Sequence, residues 1–226
     1  MAGSGKRQVR EWRLWLRRFH IDLAGDQMER ICVFVDELVR WNKKMNLTGI
    51  SSKAGIINDL LLDSLLPVPY LPETGCFLDV GSGSGFPAIP LKILRPSLIT
   101  RLVEPKKKKV SFLRQVIRLT GLKEIEVIEG RIQDLTGIRQ GYDVITSRAL
   151  SHLPRLVKWC GPYLSTDGLM VCFQGSGRDP ILRETRAVLD RHRLGHLMSI
   201  PYILPKKRRP RQVLILKKQD MSIQST

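Results

Sequence analysis

The chain has 226 residues, 42% of them apolar and 26% charged, which is the composition of a globular protein and not of a disordered one. No apolar run approaches the ~18 residues of a membrane-spanning helix, and the basic first 18 residues lack the apolar stretch of a secretory signal. The formal net charge is +17, with +5 inside residues 1–20 and +7 inside 205–218, a clustering that points to a polyanionic partner more than to general solubility.

In chain order, residues 1–72 are expected to form an N-terminal helical element. Val9, Trp12, Leu16 and Phe19 share one stripe of a first helix, with arginines opposite. Asp26–Trp41 repeats apolar residues at three-to-four spacing, and IINDLLLDSLLP (56–67) reads as a third helix stopped by Pro67 and Pro69. Residues 73–218 then alternate short apolar runs with helices. Strands are predicted at 76–80, 98–104, 124–129, 142–146 and 168–175, with helices at about 87–94, 107–119, 152–164 and 179–191. This alternation implies an α/β fold built on a parallel sheet. HLMSIPYIL and RQVLILKK, joined by PKKRRP, add a C-terminal antiparallel hairpin, and 219–226 is a short tail. The expected architecture is a mostly parallel, seven-stranded, Rossmann-like sheet. Cys32, Cys76, Cys160 and Cys172 lie far apart with no CxxC; free cytosolic thiols used as small core residues are expected, and no metal site is indicated.

The segment FLDVGSGSGFP (77–87) carries the densest chemistry. A buried strand ends on a carboxylate, three glycines alternate, and a proline opens a helix. The next strand ends at Glu104, where a carboxylate can accept hydrogen bonds from both hydroxyls of a ribose. A dinucleotide loop reads GxGxxG; here the third glycine falls one place early, with an aspartate two residues before the first. That pattern resembles the S-adenosylmethionine loop of class I methyltransferases.

Around this loop stand WNKKMNLTGI (41–50), LDSLL (62–66), FLDVGSGSGFPAIPLKI (77–93), KKVSFLRQVIRLTGL (108–122), EVIEGRIQDL (126–135) and YDVITSRAL (142–150). In this combination, from about residue 30 to 217, the chain resembles the RsmG (GidB) family of bacterial 16S ribosomal RNA methyltransferases. The resemblance implies methyl transfer from S-adenosylmethionine to N7 of a guanine in the 530 loop of 16S rRNA (guanine 527). It implies cofactor contacts at Gly81, Phe86, Ile132, Gln133 and Arg148; Gly83 and Glu104 follow from the general methyltransferase pattern. The chain departs from the family where Gln133 replaces a usual glutamate, where Gln174 precedes Gly175 in place of a lysine, and where a histidine before Asp63 is absent.

Guanine N7 carries a lone pair and no proton, so no general base is required, in keeping with four histidines that form no recognisable catalytic set. Thr146-Ser147-Arg148-Ala149 lacks the proline-aromatic signature of amine methyltransferases, which favours a heterocyclic nitrogen. RNA contacts are expected from Arg10, Arg13, Arg17, Arg18, Lys106, Lys107, Lys206, Lys207, Arg208, Arg209 and Arg211, and from Asn46, for which a helix cap is an equal reading. The expected partner is 16S rRNA or a small-subunit particle, without a membrane, and the expected state is a monomer. The alternatives are a methyltransferase acting on a small molecule or a protein, a non-catalytic RNA-binding module, and a nucleotide-dependent oxidoreductase. The intact loop and its spacing disfavour the last two.

Overall fold

The computed structural model describes residues 11–148, 152–174, 178–205 and 207–220, with the backbone alone for 178–182. Arg10 and Lys206 lie outside the described residues. The chain opens with α1 (11–17) and α2 (Gly25–Met45). The segment expected as one helix divides into α3 (Lys53–Ile56), a π-helical turn (Ile57–Leu61) and α4 (Leu62–Leu65). The α/β part runs β1 (Gly75–Val80), α5 (Ala88–Leu94), β2 (Leu98–Glu104), α6 (Lys107–Thr120), β3 (Ile125–Glu129), β4 (Tyr142–Arg148), α7 (Leu153–Cys160), β5 (Leu164–Gln174), α8 (Arg178–Arg191), β6 (Leu194–Tyr202) and β7 (Arg211–Lys218).

The seven strands are ordered β3-β2-β1-β4-β5-β7-β6. Pairs β3·β2, β2·β1, β1·β4 and β4·β5 are parallel, while β5·β7 and β7·β6 are antiparallel. The chain builds outward through β2 and β3, then returns to place β4 on the other side of β1. The carboxyl ends of β1 and β4 therefore flank a topological switch point, where ligands of open α/β sheets bind.

Two-residue alternation divides the strands between two cores. Phe77, Val144, Val171, Val213 and Ile215 pack against α2, α4, α5 and α6, and this cluster also takes in Trp15 and Leu16 of α1. Leu78, Ile145, Cys172, Leu214 and Leu216 pack on the opposite face against α7 and Leu189 of α8. The N-terminal helices are thus continuous with one core of the sheet. Alternating strand burial with helices on both faces is the arrangement expected of βαβ units.

Four expectations are corrected. In α1 the buried residues are Trp15 and Leu16, while Trp12 is half-buried. The α1 stripe turns toward the hairpin, because the Trp15 indole donates to the Ile203 carbonyl (3.2 Å) and its ring meets Tyr202 edge-on. Cys32 is exposed and is not a core thiol, whereas Cys76, Cys160 and Cys172 are buried. The helix expected to reach residue 164 ends at Cys160, since Gly161-Pro162 breaks it. β5 accordingly starts four residues early, with Leu164 opposite Tyr142.

Candidate functional site

Asp79 is the penultimate residue of β1 and is 1% exposed. One carboxylate oxygen accepts the hydroxyl of Thr146 from the neighbouring β4; the other, Oδ2, has no hydrogen-bond partner among the described residues. Burial pushes its pKa up to about 6, against the opposing pull of Thr146, Ser82 and the Arg148 charge. A carboxylate withdrawn from water and half-satisfied calls for a cationic or donor-bearing ligand.

The glycine loop is held by the next strand. The amides of Gly81 and Ser82 donate to the Val103 carbonyl (2.9 and 3.1 Å). The Gly83 amide donates to Glu104 Oε2 (2.8 Å), and Glu104 Oε1 accepts the Lys106 amide (2.9 Å). Glu104 therefore fixes the loop, a role the sequence did not disclose, while a carboxylate's four acceptor directions leave capacity for a ribose. Gly85 has φ +91°, and a Cβ there would lie 2.9 Å from Ile89 Cγ1 and 3.2 Å from the Phe34 ring. Glycine is required at this point because the loop is pressed onto α2 and α5. Phe86 packs against Phe34 with ring centroids 4.8 Å apart and planes tilted by 48°, and is 4% exposed. Its side chain is core, which leaves its backbone to face a ligand. Past β3, Ile132 is buried in the second core and Gln133 is exposed. At Gly83 a Cβ would come within 3.7 Å of Lys109 Nζ, so Lys109, from the first turn of α6, stands over the loop.

Arg148 closes β4. Its Nη2 donates to Asp63 Oδ1 (2.7 Å) and Ser64 Oγ (2.9 Å), and its guanidinium lies 4.5 Å from the Phe173 ring centroid. Asp63, 3% exposed in its side chain, also accepts from the Tyr202 hydroxyl (3.1 Å) and Arg211 Nη1 (3.4 Å). Burial, followed by the Asp63 charge, pushes the Tyr202 pKa above its usual value. This network joins α4, β4, β6 and β7, and no local periodicity announces it. Sequence register explains its assembly: Arg148 faces Phe173, Gln174 faces Gln212, and Arg211 faces Tyr202 across consecutive strands.

The expected RNA-contacting residues divide. Arg13, Arg18, Lys106, Lys107, Arg208 and Arg209 are exposed. Arg17 is exposed and pairs with Asp22 at 3.3 Å. Two of the hairpin cations are ion-paired: Lys207 Nζ lies 3.0 Å from Asp59 Oδ2, and Arg211 bonds Asp63. Asn46 is the left-handed C-cap of α2, at φ 47°. Its neighbour Asn42 organises the following turn, donating to the Ile50 carbonyl and accepting the Thr48 amide; the shared WNKKMNLTGI segment was the available signal for it. The Trp15–Ile203 contact brings α1, with Arg13, Arg17 and Arg18, against the β6–β7 hairpin, with Arg208 and Arg209, beside the carboxyl edge of the sheet.

Known proteins match this arrangement. Residues 27–206 match the family described as rRNA small subunit methyltransferase G, GidB. The ribosomal RNA small subunit methyltransferase G of Desulfitobacterium hafniense is 36% identical over 78% of this chain and 75% of its own length. That of Thermoanaerobacter sp. (strain X514) is 32% identical over 94% and 88%. Among solved structures, a ribosomal protein L11 methylase from Lactobacillus delbrueckii superposes with TM-score 0.56 and 16% identity, covering 70% of this chain and 78% of that one. M. jannaschii TYW2, solved with AdoMet, gives TM-score 0.53 and 13% identity over 69% and 73%; at these identities the likeness is one of fold, the class I methyltransferase fold. With four-fifths of its length matched and curated relatives above 30% identity, the chain belongs to the rRNA small subunit methyltransferase G family.

Proposed function

We propose that the chain methylates N7 of a guanine in the 530 loop of 16S rRNA, using S-adenosylmethionine. The observation that carries the reading is one of placement. The glycine loop with its half-satisfied Asp79 sits at the switch point of the sheet, at the same edge as the contact between the arginine-bearing α1 and the basic β6–β7 hairpin.

The residues present suit this cofactor. Asp79, buried with one oxygen unpartnered, complements a positively charged amino-acid portion. Glu104 retains acceptor capacity for ribose hydroxyls, and Gly81 and Phe86 offer backbone at the loop. Gln133 and Ile132 follow β3, where an adenine would lie. When bound, S-adenosylmethionine supplies an electrophilic methyl group on a sulfonium.

The remaining work falls to the chain. Guanine N7 has no proton to lose, so no side chain must act as a base, and what is needed is orientation and exclusion of water. Arg148, held by Asp63, Ser64 and Phe173, is fixed at the β4 end where substrate and cofactor sites adjoin. Exposed arginines and lysines supply phosphate contacts that position the RNA without reading its sequence. The test is transfer of a labelled methyl group to small-subunit rRNA, naked and as particles, followed by strand cleavage at 7-methylguanine. Label on RNA without cleavage in the 530 loop would refute the assigned position.

A further inference from the structure

A cavity of about 330 Å³ opens where β4 and β5 end, between the N-terminal helices and the β6–β7 hairpin. Asp59, Asp63, Arg148, Phe173, Tyr202 and Arg211 line it. Its two acids are paired with Arg148, Arg211 and Lys207, so its cations are engaged by carboxylates, whereas a phosphate site offers unpaired ones. Its size is at the lower end of small-molecule sites. Phe173 with the Arg148 guanidinium on its ring forms the kind of flat surface on which unstacked bases lie. The cavity lies beside the glycine loop, since Arg148 ends β4, the strand paired with β1 through Asp79 and Thr146.

Two lining residues hold a buried atom without a hydrogen-bond partner among the described residues, Arg148 at Nε and Asp59 at Oδ1, and of the two only Asp59 can accept. Asp59 sits on the π-helical turn Ile57–Leu61, a distortion frequent at functional sites. Lys207 holds its Oδ2 at 3.0 Å, and the Arg211 guanidinium holds its backbone carbonyl at 3.5 Å. Its Oδ1 is shielded from solvent and has no hydrogen-bond partner among the described residues. An anionic oxygen kept in that state is costly unless a ligand brings it a donor.

We propose that this cavity receives the target guanine, flipped from its RNA, and that Asp59 reads its Watson–Crick edge. This rests on the methyltransferase reading above. N7 cannot be hydrogen-bonded while it accepts a methyl group, so recognition must use other atoms. Guanine alone among the bases offers two adjacent donors, N1–H and the 2-amino group, and both face away from N7. A carboxylate there also acts on the chemistry. The N7 lone pair forms the new N–C bond as the S–C bond breaks, its electron pair stays on sulfur, and no proton leaves. The purine becomes cationic, and a fixed anion beside N1–H and the amino group favours that change.

The test uses the full chain and small-subunit rRNA, ligated with either guanine or inosine at the methylated position. Inosine lacks the 2-amino group. Wild-type protein is expected to lose 10- to 100-fold in kcat/KM on inosine RNA, the range for a lost hydrogen bond to a charged group. Asp59→Asn is expected to lose a similar factor on guanine RNA, chiefly in kcat, and to lose little more on inosine, with unchanged S-adenosylmethionine affinity attesting its fold. Wild-type protein that methylates inosine RNA at the guanine rate overturns the proposal with no variant needed. So does an Asp59→Asn protein that keeps the full preference for guanine. Wild-type protein that labels no guanine in any small-subunit RNA overturns the underlying reading as well, an outcome separate from the other two.

Discussion

Asp79→Asn is expected to stabilise the ligand-free protein while it damages the cofactor site. Burial raises the Asp79 pKa from the ordinary 3.8 to about 6, which corresponds to about 3 kcal/mol of disfavoured ionisation. The native state holds this proton more tightly than the unfolded chain does. The contribution is therefore complete below about pH 4 and is lost as pH rises through about 6. The asparagine has no charge to desolvate and keeps an oxygen for Thr146, but its amide replaces the unpartnered Oδ2 with an unpartnered donor. Leaving that donor unmet costs about 1–2 kcal/mol, so the net gain near pH 7.5 is about 1–2 kcal/mol, roughly 2–8 °C in Tm for a chain of this length. Thermal unfolding of both proteins between pH 4 and 8 measures this directly. Wild-type stability should decline relative to the variant as pH rises from 4 to about 7, and calorimetric titration should show the variant binding S-adenosylmethionine at least tenfold more weakly. A variant that is less stable at pH 7.5, with the wild-type pH slope intact, would refute the reasoning.

Three further outcomes are expected. Asp63→Ala removes the acceptor of Arg148, Tyr202 and Arg211 and leaves a largely buried guanidinium without its counter-charge; unfolding in denaturant should show a loss of about 3–5 kcal/mol. Replacing exposed Arg208 and Arg209 with alanine should weaken RNA binding and flatten the dependence of log K on log salt by roughly 0.7–0.9 per lost phosphate contact, with an unchanged slope assigning them no such contact. In thiol titration of the native protein, exposed Cys32 should react readily. Cys160 and Cys172 should react only on unfolding, burial pushing the first thiol far up and the second up to about 12.

Much of the fold was legible because it rests on local pattern. All seven strands follow from apolar runs bounded by turn residues, and β2 begins and ends where the residues alone place it. The glycine loop was legible because its spacing is a backbone requirement. What escaped was long-range or a matter of rotation. Trp12 and Trp15 are both plausible on a helical stripe, and only docking on the hairpin selects Trp15. Asp63 and Arg148 are 85 positions apart, and their pairing depends on how α4 crosses the strand ends. IINDLLLDSLLP has the apolar content of one helix, yet its turn at Ile57–Leu61 widens to π geometry, which no residue type there signals. Glu104 was visible as a strand-end acid, but not its bond to the Gly83 amide, because that depends on how the loop folds back.

The most direct test of the account is to incubate the protein with labelled S-adenosylmethionine and small-subunit rRNA, naked and in particles, and to map the product by cleavage at 7-methylguanine. The account predicts one cleavage site, at a guanine of the 530 loop. Label on RNA elsewhere, or on a nitrogen other than N7, would contradict it.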